Sequence, residues 1–137
     1  KTRGANLADR LQEKLATITQ VQVGVEHIDI QFYRDDLVKN HADPQIKHLS
    51  FTHNLTDKTV VIVDDVLYTG RTVRAAMDAI LDVSRPQVIR LAIMVDRGHR
   101  ELPIRADFIG KNIPTSQEEN VHVCLQEVDG TEEILLT

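Results

Sequence analysis

One segment of the 137-residue chain combines residue types that do chemistry together: Val60-Val61-Ile62-Val63-Asp64-Asp65-Val66-Leu67-Tyr68-Thr69-Gly70-Arg71-Thr72. Four β-branched residues predict a strand, and Gly70 with two threonines predicts the start of a helix. In open α/β sheets, ligands sit outside the carboxyl ends of strands. Two adjacent carboxylates placed there suit a divalent cation or sugar hydroxyls. Thr69-Gly70-Arg71-Thr72 offers free backbone N–H groups, two hydroxyls and a glycine that permits close approach, which together make a phosphate cradle. A phosphorylated sugar carries both complementary groups on one molecule. The bland alternative is an Asp-rich turn followed by threonine capping of an ordinary helix. A P-loop is excluded, because no Gly-Lys-Thr or Gly-Lys-Ser segment is present.

The elements that must hold this segment can be read from periodicity. Leu7, Leu11, Leu15 and Ile18 form one stripe of an amphipathic helix over residues 5–19. Val21, Val23 and Val25 alternate, and Ile28, Ile30 and Phe32 continue in a second phase, with Gly24 as a candidate bend. A polar stretch, Arg34–Asp57, is long enough to suggest a lid or binding loop. Lys58–Val63 reads as a strand buried on both faces. Val73, Ala76, Met77, Ile80 and Leu81 give a second helical stripe, which Pro86 stops. Further strands are expected at Val88–Val95, Ala106–Ile109 and Val121–Leu125. Strands joined through helices argue an α/β domain with a largely parallel sheet.

Composition sets bounds on function. Apolar residues make up 42% of the chain and charged residues 27%, ordinary for a single globular domain spanning 1–137. No uninterrupted apolar run approaches the ~20 residues of a membrane span. A lone Cys124 cannot form an internal disulfide, and no secretion leader is visible, so the expected location is the cytoplasm. The net charge of −5 is unevenly distributed. Residues 112–137 hold six acids (Glu118, Glu119, Glu127, Asp129, Glu132, Glu133) and no Lys or Arg, whereas Arg85–Lys111 holds six basic and three acidic residues. That pattern excludes a general nucleic-acid binder but leaves room for a basic face toward one anionic partner.

The Val60–Thr72 run resembles the phosphoribosyl diphosphate signature of type I phosphoribosyltransferases. Extended through Ala79, and joined by Val95-Asp96-Arg97-Gly98-His99-Arg100-Glu101-Leu102-Pro103-Ile104-Arg105-Ala106-Asp107 and Gly110-Lys111-Asn112-Ile113-Pro114-Thr115-Ser116, it resembles the PyrR family. These are bacterial pyrimidine operon attenuation regulators with uracil phosphoribosyltransferase activity. Family members are longer at the amino end, carrying a helix and a core strand ahead of Lys1-Thr2-Arg3-Gly4, so the chain resembles an amino-terminally truncated member.

The resemblance implies a type I phosphoribosyltransferase fold, with a largely parallel sheet, flanking helices and a flexible hood loop at the polar Arg34–Asp57 stretch. It implies a phosphoribosyl diphosphate site made by Lys1, Thr2, Arg3, Arg34, Asp64, Asp65, Val66, Leu67, Tyr68, Thr69, Gly70, Arg71 and Thr72. Asp64 and Asp65 would be the catalytic acids, fixing ribose hydroxyls and Mg²⁺ directly or through water. Asp96, Phe108 and Ile109 fall where relatives hold the base, although Phe108 reads equally well as a core residue. Asp96-Arg97-Gly98-His99 is better read as a turn with a salt bridge than as a metal site. His99, Arg100, Arg105 and Lys111 match the positions at which the family contacts an mRNA leader hairpin. The implied partners are uracil, phosphoribosyl diphosphate, UMP or UTP, that RNA, and further copies of the chain in a homodimer or larger homo-oligomer. An RNA-binding attenuator that uses the nucleotide site only as a sensor is the alternative.

Overall fold

The computed structural model describes residues 2–30 and 50–137. Lys1, Phe32, Arg34 and much of the expected hood loop lie outside the described residues, as do the side-chain surroundings of Thr2.

Helix α1 covers Thr2–Thr19. Its run of Ala, Leu, Glu, Lys and Gln favours the helix intrinsically. It ends where Gln20 adopts φ 57°, with the Gln20 amide donating to the Ala16 carbonyl at 3.0 Å. The expected apolar stripe is only partly used: Leu7 is buried, whereas Leu11, Leu15 and Ile18 are exposed. The alternating residues from Val21 to Ile30 form no strand. Alternation makes a strand only where a neighbour pairs with it, and none does so among the described residues. Side chains hold this segment instead. Gln12 donates to the Val23 carbonyl at 2.5 Å, His27 contacts Asp9 at 3.1 Å, and Glu26 accepts from the Thr52 hydroxyl at 2.8 Å and the His53 amide at 2.7 Å.

A three-stranded parallel sheet follows, in the order β1-β2-β3, formed by β1 (Thr59–Leu67), β2 (Val88–Asp96) and β3 (Phe108–Asn112). Helix α2 (Arg71–Val83) joins β1 to β2. Its buried face is Val73, Ala75, Ala76, Ala79 and Ile80, close to the expected stripe, while Leu81 is exposed. Helix α2 stops before Pro86, and its last carbonyls are taken by side chains: the Ser84 hydroxyl donates to Ile80 and Arg85 to Leu81, each at 2.6 Å. Strand β3 starts two residues later than expected. Ala106 is buried ahead of it, and Asp107 fastens the edge by accepting from the Leu91 amide at 2.8 Å.

Two apolar clusters lie about the sheet. One gathers Leu67, Val73, Leu91, Ile93 and Ala106, and the other Leu7, Val95, Val123 and Leu125. The second cluster includes Val121 and Val123 of β4 (Val121–Cys124), which pairs antiparallel with the exposed β5 (Glu133–Leu136), and between the two strands lies the short helical turn α3 (Gln126–Asp129). Arginines of α1 meet the acids there. Arg3 bonds Asp129 at 2.7 Å, and Arg10 reaches Glu127 at 2.6 Å and Glu132 at 2.5 Å. Three of the six acids that skew the charge are thus docking partners for α1.

The Arg10 guanidinium holds the Glu127 and Glu132 carboxyls below the usual range. The contribution of this bracket is therefore present at neutral pH and lost as pH falls through those lowered values. Arg10→Gln is expected to speed amide hydrogen exchange across residues 126–136 more than across β1, and high salt should do the same in part. Unchanged exchange in 126–136 would mean that Val123 and Leu125 hold this end by apolar packing alone.

Candidate active site at the end of β1

The acid pair lies inside β1, one step earlier than a strand ending at Val63 would place it. Pairing with β2 runs from Thr59↔Val88 to Leu67↔Asp96 but skips Asp65. A local competition explains the gap. Asp64 Oδ1 accepts from the Asp65 amide at 2.9 Å, and Asp65 Oδ1 accepts from the Val66 amide at 2.8 Å. Such short side-chain bonds divert the backbone from the ladder. The alternation of side chains changes at the same point. Ile62 packs against one cluster and Val63 against the other, yet past the acids Val66 joins the cluster of Val63 and Leu67 that of Ile62.

The first turn of α1 covers the pair. A Cβ on Gly4 would lie 3.0 Å from the Val63 carbonyl oxygen and 3.1 Å from Asp64 Oδ1, so glycine permits this approach. Burial, and then the negative charge of Asp65, push the Asp64 carboxyl up to about 7. Beyond the strand, Gly70 takes φ 93° and caps α2 without a side chain. The Thr69 hydroxyl accepts from the Arg71 amide at 3.2 Å, and among the described residues none caps the amides of Thr72 and Val73. A partly buried carboxylate pair and open helix-start amides therefore lie within ten residues, joined by Val66 to Arg71.

The other residues singled out by sequence fall as follows. Thr2-Arg3-Gly4 is the first turn of α1 rather than a loop, and the Arg3 guanidinium is occupied by Asp129. Asp96 ends β2 beside Leu67. Burial opposes its charge, but Arg100 at 2.5 Å and the Gly98 amide at 3.0 Å outweigh this and hold its carboxyl below the usual range. The expected turn with a salt bridge is thus present at 96–100, with Gly98 and His99 at φ 80° and 64°. Phe108 is 58% exposed, which removes the core reading for it, and Ile109 is also exposed on β3.

Arg105 and Lys111 are exposed, whereas His99 approaches the Thr115 carbonyl at 2.5 Å. The sequence places Arg97 in the segment where relatives hold the base but assigns it no contact of its own. Arg97 is 5% exposed and donates to the Ser116 carbonyl at 3.0 Å, with its guanidinium carbon 4.1 Å from the Tyr68 ring centre. An arginine beside an aspartate in a turn gives no sequence signal of burial. A separate cavity of about 480 Å³, lined by Asp9, Gln12, Val23, His27 and His53 among others, contains none of the candidate site residues.

Mg²⁺ fits the pair by donor chemistry, since this ion is usually held by one or two carboxylates and completed by substrate phosphates and water. No cluster of three or more His, Cys, Asp or Glu suited to a metal exists among the described residues. No helix among them is long and apolar enough to cross a membrane.

The raised Asp64 carboxyl has a thermodynamic consequence. Between its ordinary 3.8 and about 7, the native state keeps a proton that the unfolded chain has released. Stability in metal-free buffer should therefore fall as pH rises through that window. Asp64→Asn is expected to flatten this dependence and to be more resistant to urea than the parent above pH 7. Parallel urea midpoints across pH 4–8 would place the titration elsewhere.

The phosphoribosyl transferase domain model matches residues 1–128. The protein from Fusobacterium nucleatum named bifunctional protein PyrR is 58% identical over 136 residues, covering 99% of this chain and 77% of the relative. The protein of the same name from Clostridioides difficile is 54% identical, with the same coverage of each. Among solved structures, the hypoxanthine phosphoribosyltransferase of Trypanosoma cruzi superposes with a TM-score of 0.51 at 22% identity, over 64% of this chain and 51% of that one, a likeness of fold. By its domain match and by these relatives, the chain belongs to the type I phosphoribosyltransferases and, within them, to the bifunctional PyrR proteins.

Proposed function

We propose that the chain combines two activities. As a uracil phosphoribosyltransferase it converts uracil and phosphoribosyl diphosphate to UMP and pyrophosphate. As a regulator it binds the leader of pyrimidine-operon mRNA when UMP or UTP fills the same site, and so attenuates transcription. The observation that carries the first activity is the acid pair near the end of β1, with the first uncapped amide of α2, that of Thr72, seven residues past Asp65.

In the transfer, a uracil nitrogen bonds to the anomeric carbon as that carbon's bond to pyrophosphate breaks. By analogy with other glycosyl transfers, the sugar passes through an oxocarbenium-like state. Asp64 and Asp65 would orient the ribose hydroxyls, and their negative charge beside the sugar would favour its developing positive charge. Thr69, Gly70, Arg71 and Thr72 would grip the 5′-phosphate through amides, hydroxyls and the helix dipole. Mg²⁺, when bound at the acid pair, would offset charge on the pyrophosphate. Phe108, exposed on β3, offers a ring face to the base beside Ile109, whereas Asp96 pairs with Asn112, four residues further along the sheet. Positioning would carry much of the rate. Pyrophosphate contacts by Lys1, Thr2, Arg3 and Arg34 belong to the same reading; for Arg3 they require release from Asp129.

For the second activity, the exposed Arg105 and Lys111 are the cations best placed to meet phosphates, because RNA hairpins are held through phosphates and splayed loop bases. A homodimer or larger homo-oligomer would present that face more than once.

Two measurements test the pair of activities. Asp65→Asn should reduce uracil transfer by ~10²-fold or more, because a substrate-orienting carboxylate is lost. Near-normal turnover would sink the assignment. Arg105→Gln and Lys111→Gln should weaken leader RNA binding while transfer stays near the parent rate. Each should also reduce the slope of log K against log salt by roughly 0.7–0.9 per lost phosphate contact. Unchanged RNA affinity in both would return these residues to the status of solvated surface charges.

A further inference from the structure

The Arg3 guanidinium stands between anions from two different parts of the fold. Arg3 belongs to the first turn of α1, where the next residue, Gly4, lies against Asp64. Its Nη2 donates to Asp129 Oδ1 at 2.7 Å. That bond first, and the charges of Asp129 and Asp65 after it, hold the guanidinium proton more tightly than usual, against the effect of burial. Asp129 is the fixed member of the pair. Its Oδ2 accepts from the Leu125 amide at 2.9 Å, and its own amide donates to the Leu125 carbonyl at 2.7 Å. Leu125 is itself buried, so this carboxylate is anchored to the core. Arg3, on a long side chain that is 39% exposed, is the partner able to move. Docking of α1 has other supports, since Leu7 packs with Val95, Val123 and Leu125, and Arg10 binds both Glu127 and Glu132.

We propose that Asp129 is a positioning residue for the pyrophosphate end of the site: its carboxylate competes with pyrophosphate for Arg3 and so weakens the hold on that group. This rests on the transferase reading above, in which Arg3 is a pyrophosphate ligand. Carboxylate and phosphate oxygens seek the same N–H donors of a guanidinium. Phosphoribosyl diphosphate arriving at the acid pair must therefore take Arg3 from Asp129, and departing pyrophosphate returns it. Both are bound less tightly as a result, and release of the product is eased, a step that limits turnover in many enzymes. Asp129 touches no reacting atom and acts only through Arg3.

The test is a double-mutant cycle on Arg3 and Asp129, read by calorimetric titration with pyrophosphate and Mg²⁺ and by product inhibition of uracil transfer. Asp129→Asn removes the charge and keeps an oxygen to accept from the Leu125 amide. It should bind pyrophosphate about two- to fivefold more tightly than the parent, the range of one exposed ion pair. KM for phosphoribosyl diphosphate should fall to match, with no rise in kcat, and the gain should shrink as salt is raised. Arg3→Gln should weaken pyrophosphate binding, and adding Asp129→Asn to it should change nothing further. Unchanged or weaker pyrophosphate binding in Asp129→Asn alone overturns the proposal, and weaker binding would assign Asp129 to the support of α1. A gain that persists beside Arg3→Gln also overturns it, because the acid would then act as a general charge near the site. If the parent binds pyrophosphate and Arg3→Gln binds it equally well, the role of Arg3 fails and this inference with it. A parent that binds neither pyrophosphate nor phosphoribosyl diphosphate overturns the transferase reading itself.

Discussion

Two adjacent carboxylates inside a strand repel each other, and covering one of them makes the repulsion worse. The raised Asp64 carboxyl is the direct expression of that conflict. A stability-driven sequence would place apolar residues here, as it does at Val60–Val63. Instead the acids interrupt the ladder, take their neighbours' amides and change the side-chain alternation. The strain is relieved by anything that brings positive charge or hydrogen-bond donors to the pair. A metal ion, sugar hydroxyls and the positive end of α1 are all of this kind.

The docking of α1 follows from the same constraint. Its first turn can cover Asp64 only because Gly4 lacks a side chain, so the helix must be held at that distance by contacts further along. Leu7 supplies apolar contact with Val95, Val123 and Leu125, while Arg3 and Arg10 reach the acids at and beyond α3. The acidic carboxyl-terminal segment is thus a counterpart to α1, and its charge bears less on external partners than a plain count implies. These pairs are exposed, so each contributes little alone; their value lies in fixing orientation.

Legibility in the sequence varied with how local each signal was. The helix of Val73, Ala76 and Ile80 and its stop before Pro86 are set by spacing and by one residue's missing N–H, and both were readable. The site motif was readable because acids, glycine and threonines occupy thirteen consecutive positions. Less local features were not readable. The extension of β1 through Asp64-Asp65 depends on pairing with Ile93, Val95 and Asp96, which lie 29 residues away along the chain. The Val21–Ile30 alternation had the period of a strand but lacks a neighbour to pair with among the described residues. Burial of Arg97 depends on Tyr68 and Ser116, neither predictable as its partner from spacing.

The basic segment after β2 carries two kinds of cation that composition cannot separate. Arg97 and Arg100 turn inward, one against the Tyr68 ring and the other across three acceptors, and both brace the loop that leads into α2. Arg105 and Lys111 remain exposed. A charge count assigns all four to one surface; the hydrogen bonds divide them. For the function proposed above, this division would link the loop that leads into α2 to an outer face. Residues 97–102 bond the loop's carbonyls, and the chain then runs directly through Ile104 to Arg105. A ligand that orders residues 68–72 would thereby order the backbone that carries Arg105, with no separate relay element. Coupling of that kind requires only that the two ends share one set of hydrogen bonds and that the ligand favour one arrangement of it.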